Sequence, residues 1–277
     1  MQLPIRLQQA PQFASQVLQR ELTLRKPLQG SPTLRLCYFS CQSYFKYLYC
    51  ALHSLTLTVQ VPYEVWIFSD EEMPLSKAQI HILKQLIPAV RVIDWPKSMG
   101  WGAVQIGNIW RAYALVAESA ADIDIIARID SDVFFFNDRI FRAVQRRRAD
   151  FIGDGHFVDF KYCQGGCYFF RAGAVREVVA LLNRQSLDAV VAQAAVPVED
   201  VVAHDLAQLA GLNIWMTWFM MFPDELRNAG GLTPWQRWKF SCVHFVMKNK
   251  AAMIETYLQH MLPPAAAPGF LALLAID

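Results

Sequence analysis

From Leu34 onward, short runs of consecutive apolar residues alternate with longer stretches in which apolar residues recur every three to four positions. The first pattern suits strands packed on both faces, and the second suits amphipathic helices lying against them. Strands are predicted at Leu34 to Ser40, Tyr63 to Ser69 and Val90 to Asp94, with helices over Tyr44 to Leu57 and Leu75 to Ile87 between them. A third helix, about Val104 to Ser119, leads into the apolar run Ile125 to Ile129, which Arg128 interrupts and acidic residues end. This order is βαβαβ carried one helix and one strand further, the signature of a sheet flanked by helices. Past Arg146-Arg147-Arg148 the elements shorten. Strands are expected near Phe151 to Gly153 and Cys167 to Arg171, and helices near Ala174 to Leu182 and Glu199 to Ala210. The aromatic-rich segments Trp215 to Phe222 and Trp235 to Phe245 follow, then a closing helix at about Met247 to Met261. Pro263 to Pro268 reads as a loosely tethered tail. The chain thus divides into an N-terminal extension (1–33), one domain of two fused halves (34–132 and 133–262) and a C-terminal tail (263–277).

The 277 residues are 54% hydrophobic and 18% charged, enough for a substantial core and incompatible with a disordered tail or a coiled coil. Twenty-six basic against 24 acidic residues leave a net charge of +2, with no basic excess to neutralise a run of phosphates. Nucleic acid is therefore not an expected partner, and any anion must be held locally. The apolar run Phe270 to Ile276 is far shorter than the roughly 18 residues of a membrane span. Met1 to Gln29 lacks the basic segment, apolar core and small-residue cleavage site of a secretory signal. A cytoplasmic protein is expected, with a Golgi-lumen protein separated from its anchor as the alternative. The six cysteines include two C-x-x-x-C pairs, Cys37/Cys41 and Cys163/Cys167. They are read as small reduced core residues, since Cys37 lies in a strand and Cys163 and Cys167 flank a Gly-Gly bend, away from the knuckle geometry of zinc.

Asp130-Ser131-Asp132 ends the Ile125 to Ile129 strand, and ligands of open α/β sheets lie beyond the carboxyl ends of strands. Carboxylates at i and i+2 point the same way if the backbone is extended, so both could approach one Mg²⁺ or Mn²⁺. A second pair, Asp122-Ile123-Asp124, enters the same strand at its amino end and reads as a solvated turn.

The segment Ile125 to Phe135 resembles the D-x-D segment of GT-A-type glycosyltransferases, which hold a divalent cation on a sugar nucleotide. Gln164-Gly165-Gly166-Cys167-Tyr168-Phe169-Phe170-Arg171 is similar to the glycine-rich acceptor-side loop of that fold, and Val198-Glu199-Asp200-Val201-Val202 to its x-E-D element. His244 resembles the C-terminal histidine that supplies a metal or diphosphate contact. Trp110-Arg111-Ala112-Tyr113 and the pair His244 and Lys250 are similar to glycogenin-like retaining enzymes, although Met247 stands where their H-x-x-G-x-x-K ending has glycine. Glu199-Asp200-Val201 is instead similar to fringe-like inverting enzymes, so the stereochemistry stays open.

The resemblance implies a GT-A (Rossmann-like) mixed sheet flanked by helices, with residues 34–132 binding the nucleotide sugar and 133–262 the acceptor. It implies a transfer from a nucleoside diphosphate sugar, UDP-linked by preference, to a hydroxyl of a glycan or small molecule, with Mn²⁺ or Mg²⁺ as cofactor. Asp132, Asp130 and His244 would hold the metal. Asp130, Asp70, Arg111 and Lys250 would contact the nucleotide sugar. Gly165, Gly166 and Trp218 would meet the acceptor, and Asp200 with Glu199 would be catalytic, as base or as acceptor-positioning group. Each has a plain alternative: Asp70 as a cap of the following helix turn, Arg111 as a snorkelling helix arginine, Asp200 as a helix N-terminal charge and His244 as a core histidine. Arg128 is expected to be structural, paired with Asp124, Asp130 or Asp150. Gly153-Asp154-Gly155-His156 resembles a mobile loop near the sugar. Trp235-Gln236-Arg237-Trp238, with Arg146-Arg147-Arg148 and the apolar tail, suggests a peripheral contact with an anionic membrane. The rival readings are a nucleotidyltransferase, which would show a glycine-rich basic loop where this chain has Ser40-Cys41-Gln42-Ser43-Tyr44, and a catalytically silent sugar- or nucleotide-binding domain.

Overall fold

The computed structural model describes residues 32–97, 102–157, 161–224, 232–246 and 249–276. Most of the expected N-terminal extension and the expected start of the closing helix at Met247 lie outside the described residues. The front half follows the hydrophobic pattern to within two residues: β1 (Leu34–Ser40), α1 (Phe45–Thr58), β2 (Tyr63–Asp70), α2 (Lys77–Leu86), β3 (Arg91–Trp95), α3 (Ala103–Glu118) and β4 (Ile125–Ile129). Then come β5 (Val133–Phe135), α4 (Arg139–Arg146), β6 (Phe151–Phe157), β7 (Lys161–Arg171), α5 (Ala172–Leu182), α6 (Leu187–Gln193) and α7 (Glu199–Leu209). The chain closes with β8 (Ile214–Thr217), β9 (Met220–Met221), α8 (Pro234–Lys239), β10 (Cys242–His244), α9 (Ala252–Met261) and α10 (Ala267–Leu274).

The fold is α/β, with a mixed seven-stranded sheet in the order β3-β2-β1-β4-β7-β6-β8 and a small sheet in the order β5-β10-β9. Pairing is parallel between β2 and β3 and antiparallel between β6 and β7. The described residues fall into two compact units, one from those within 32–35, 102–128 and 142–218, the other from those within 36–97, 129–141 and 219–276.

Local chemistry accounts for the elements. All of β1 is buried, including Arg35, whose guanidinium donates to Ser119 Oγ (2.7 Å) and pairs with Asp124 (3.4 Å). Asp124 also accepts the amides of Thr33 and Ala121, so the second D-x-D pair forms the expected turn, with Asp124 buried in it. At the start of α2, Ser76 and Gln79 close a capping box, each side chain accepting the other's backbone N–H. Thr233 caps α8, with Pro234 in its first turn.

Three local expectations are corrected. Gly165 and Gly166 form no bend, because β7 runs unbroken from Lys161 with Cys163 and Cys167 buried in it. Gly153-Asp154-Gly155-His156 is part of β6 and not a loop; a Cβ at Gly153 would lie 2.4 Å from the Cys163 Cβ, so only glycine lets these strands pass. The C-terminal segment is docked through α10, where Phe270 stacks on Tyr257 (5.3 Å between centroids) and Gln79 donates to the Ile276 carbonyl. All six cysteines are buried free thiols. Among the described residues, no helix is long and apolar enough to cross a membrane.

Candidate functional site

Asp130 and Asp132 follow the fourth strand in a tight turn, in which the Val133 amide donates to the Asp130 carbonyl (3.1 Å). The expected extended i, i+2 geometry is therefore replaced by a turn. What brings ligands together is the small sheet: β10 pairs antiparallel with β5, setting His244 opposite Val133, and the Phe245 amide donates to the Asp132 carbonyl (2.9 Å). His244 Nε2 lies 3.4 Å from Asp132 Oδ1 and 3.5 Å from Asp130 Oδ2. Asp132 and His244 are buried, with Asp130 more accessible.

One ligand atom from each of these three residues lies within 4.8 Å of the others. In an octahedral shell with bonds of about 2.1 Å, adjacent ligand atoms are about 3 Å apart. The 3.4 and 3.5 Å separations need only a small contraction to reach that value. Two carboxylates and an imidazole fit a hard to borderline divalent cation, with imidazole favouring Mn²⁺ over Mg²⁺.

The cationic side of the site is Lys250. Its ammonium lies 3.0 Å from Asp132 Oδ2, 2.9 Å from the Tyr44 hydroxyl and 4.4 Å from the centre of the Tyr44 ring. Burial opposes ionisation of Asp132, but the hydrogen bond and charge of His244, together with Lys250, hold its carboxyl below the ordinary range. Burial likewise opposes the charge on Lys250, yet Asp132 and Tyr44 raise its pKa. Tyr44, in the single 3-10 turn after β1, is a site residue that sequence reasoning missed. Its only sequence signal was its place just beyond the carboxyl end of a buried strand.

Asp70 ends the second strand, where its carboxylate accepts the Glu72 amide (3.0 Å) within a bend; the expected helix turn does not follow it, and Ser76 caps α2 instead. It is not one of the three converging ligands.

The remaining predicted residues lie in the other unit. Arg128 pairs with Glu199 (3.2 Å), and its guanidinium also bonds the Gly165 carbonyl. Glu199 accepts from the Tyr168 hydroxyl, which contacts that of Tyr113 (2.9 Å). Asp200 accepts the Gly165 amide at Oδ2 and the Val201 amide at Oδ1, both at 3.0 Å. Burial raises its pKa, with the Arg128 charge and these amides opposing. A Cβ on Gly165 would lie 3.1 Å from Asp200 Oδ2 and 3.2 Å from Arg128 Nη1, which explains the glycine. Gly166 continues the buried strand, and Trp218 is half-buried just past β8. Arg111 is exposed on α3 and folds back onto Asn108 and the Gly107 carbonyl.

The fold is that of glycosyltransferases. Among solved structures, the bifunctional glycosyltransferase WbbM matches with a TM-score of 0.54 and 12% identity over 90% of this chain, which spans 52% of WbbM. An active-site mutant of LgtC matches with a TM-score of 0.52 and 10% identity over 84% of this chain and 98% of its own. The galactosyltransferase LgtC with donor and acceptor sugar analogues gives 0.49 and 10% identity, covering 85% and 99%. No family model and no curated protein matches the sequence.

Proposed function

We propose that this chain is a metal-dependent glycosyltransferase that moves a sugar from a nucleoside diphosphate donor, UDP-linked by preference, to a hydroxyl of a glycan or small molecule. The observation that carries the reading is the convergence of Asp130, Asp132 and His244 beyond a central strand of a glycosyltransferase fold. Residues of this type would hold Mn²⁺ or Mg²⁺, which when bound supplies charge neutralisation for a departing diphosphate. Lys250, which here pairs with Asp132 (3.0 Å), would add a second positive charge for the departing diphosphate once turned toward it. Asp200 has both oxygens engaged by backbone amides, which favours a positioning role, fixing the Gly165 segment against which an acceptor would rest, over that of a base. Its partner Glu199 serves the same end through Arg128 and Tyr168.

The test is hydrolysis of a panel of UDP- and GDP-sugars with Mn²⁺, Mg²⁺ or EDTA, by wild type and Asp132→Asn, with donor binding measured in parallel. Metal-dependent release of nucleoside diphosphate, lost in the variant, establishes the reaction. Donor binding without turnover, even with acceptors supplied, identifies a silent binder, and release of pyrophosphate from nucleoside triphosphates identifies a nucleotidyltransferase.

We also propose that α8 meets an anionic membrane surface. Trp235 and Trp238 are 55% and 67% exposed while the glutamine between them is buried. Lys239 lies over Trp235 (4.9 Å) and Arg139 over Trp238 (5.5 Å), the pairing of ring and cation that suits a lipid headgroup layer. Arg147, by contrast, is stacked on Trp215 in the other unit. Co-sedimentation with vesicles containing phosphatidylglycerol, weakened in W235A/W238A and absent with phosphatidylcholine alone, is the expected result.

A further inference from the structure

Asp132 is a buried carboxylate with a different nitrogen at each oxygen: His244 Nε2 at Oδ1 and the Lys250 ammonium at Oδ2. An ionised carboxylate in such a place needs a counter-ion. Lys250 supplies it, and the Tyr44 hydroxyl and ring hold the ammonium there. A divalent cation bound by Asp132 would share that carboxylate with a fixed positive charge, and like charges at such separations repel strongly in a half-buried site.

We propose that Lys250 is a built-in counter-ion that competes with the divalent cation for Asp132, so that the free protein binds the cation weakly and binds it tightly only when a diphosphate draws the ammonium away. The inference rests on the metal reading given above and adds an order to it. Metal and diphosphate each raise the affinity for the other, by the same factor, because linkage is reciprocal. The site thereby avoids leaving Asp132 uncompensated at any stage: Lys250 serves as partner without the cation, and the cation serves once Lys250 has turned to the diphosphate.

The experiment titrates Mn²⁺ alone into wild type, Lys250→Gln and Lys250→Arg, following the electron paramagnetic resonance signal of free Mn²⁺, and repeats the titration with saturating UDP. Glutamine keeps a hydrogen-bond donor for Asp132 and Tyr44 while removing the charge; arginine keeps the charge. Lys250→Gln is expected to bind Mn²⁺ alone on the order of tenfold more tightly than wild type, with Lys250→Arg close to wild type. The tightening produced by UDP shrinks correspondingly in Lys250→Gln. Should that variant be too unstable to titrate, the rise in its Tm on adding Mn²⁺, larger than that of wild type, reads the same quantity. Equal or weaker Mn²⁺ binding by Lys250→Gln, or an equal rise in Tm, overturns the inference and leaves the metal site standing. Absence of Mn²⁺ binding in wild type and Lys250→Gln, with and without UDP, overturns the metal reading itself.

Discussion

Two acidic pairs, Asp130 with Asp132 and Glu199 with Asp200, sit at a strand end and a helix start in this molecule, and each has a cationic neighbour, yet they are held in different ways. Asp132 is held by the side chains of His244 and Lys250, groups at a strand end and in a turn. Asp200 is fastened by two backbone amides, and Glu199 by Arg128 and Tyr168 in a closed network. The electrostatics follow the same division. The side chains of His244 and Lys250 pull the Asp132 carboxyl down, whereas burial prevails at Asp200 and pushes it up. A D-x-D pair and an E-D pair look equally acidic in a sequence; in the structure side chains hold the one, and backbone amides and an ion pair hold the other.

Substitutions should sort along this line. The largest effect is expected for Asp132→Asn, which lowers metal-dependent release of nucleoside diphosphate by about 10³-fold while the chain still folds, as circular dichroism would show. Glu199→Ala acts on the strut: it removes the carboxylate that pairs with Arg128 and accepts from Tyr168 and costs about 2 kcal/mol of stability, read as a lower urea midpoint. Mn²⁺ affinity is expected to stay unchanged in that variant, and a change there would break the comparison. Gly165→Ala places a methyl group against Asp200 and Arg128. A loss of about 1–2 kcal/mol is expected from such overpacking, measurable in the same titration.

The smallest effect is a pH dependence. Because the pKa of Asp200 is raised in the folded chain, folding favours its protonated form. Below the unfolded carboxyl pKa the group is protonated in both states and contributes no difference. Stability is lost as pH rises from that value through the folded pKa, where the unfolded chain ionises first. Asp200→Asn removes this loss, so its Tm relative to wild type should climb across that interval, and a flat difference would show that Asp200 is not held in an unfavourable setting.

Much of the fold was legible in the sequence because burial on both faces writes continuous apolar runs such as Leu34 to Ser40, and strand boundaries there agree with the structure. The Gly165-Gly166 pair suggests a turn by its freedom, whereas the structure shows a strand in which Gly165 is crowded by Asp200 and Arg128 from α7 and β4. Asp130, Asp132 and His244 were legible as candidates, but the reason they converge was not. It lies in the pairing of β5 with β10, a register between segments more than a hundred residues apart that no local pattern encodes. Tyr44 escaped notice for a similar reason, because its role depends on Lys250, far along the chain. The Phe270 anchor was hidden among prolines and alanines, where one aromatic residue decides between a docked helix and a loose tail.

In the proposed function, Asp130, Asp132 and His244 hold a divalent cation against a nucleoside diphosphate. Its most direct test is a crystal of this chain grown with Mn²⁺ and UDP and measured at the manganese absorption edge. One anomalous peak is expected within bonding distance, about 2.2 Å, of His244 Nε2 and an Asp132 oxygen, with the diphosphate completing the shell and Lys250 turned toward it. UDP bound with no anomalous peak at these residues, or a peak elsewhere with Lys250 still on Asp132, would contradict it.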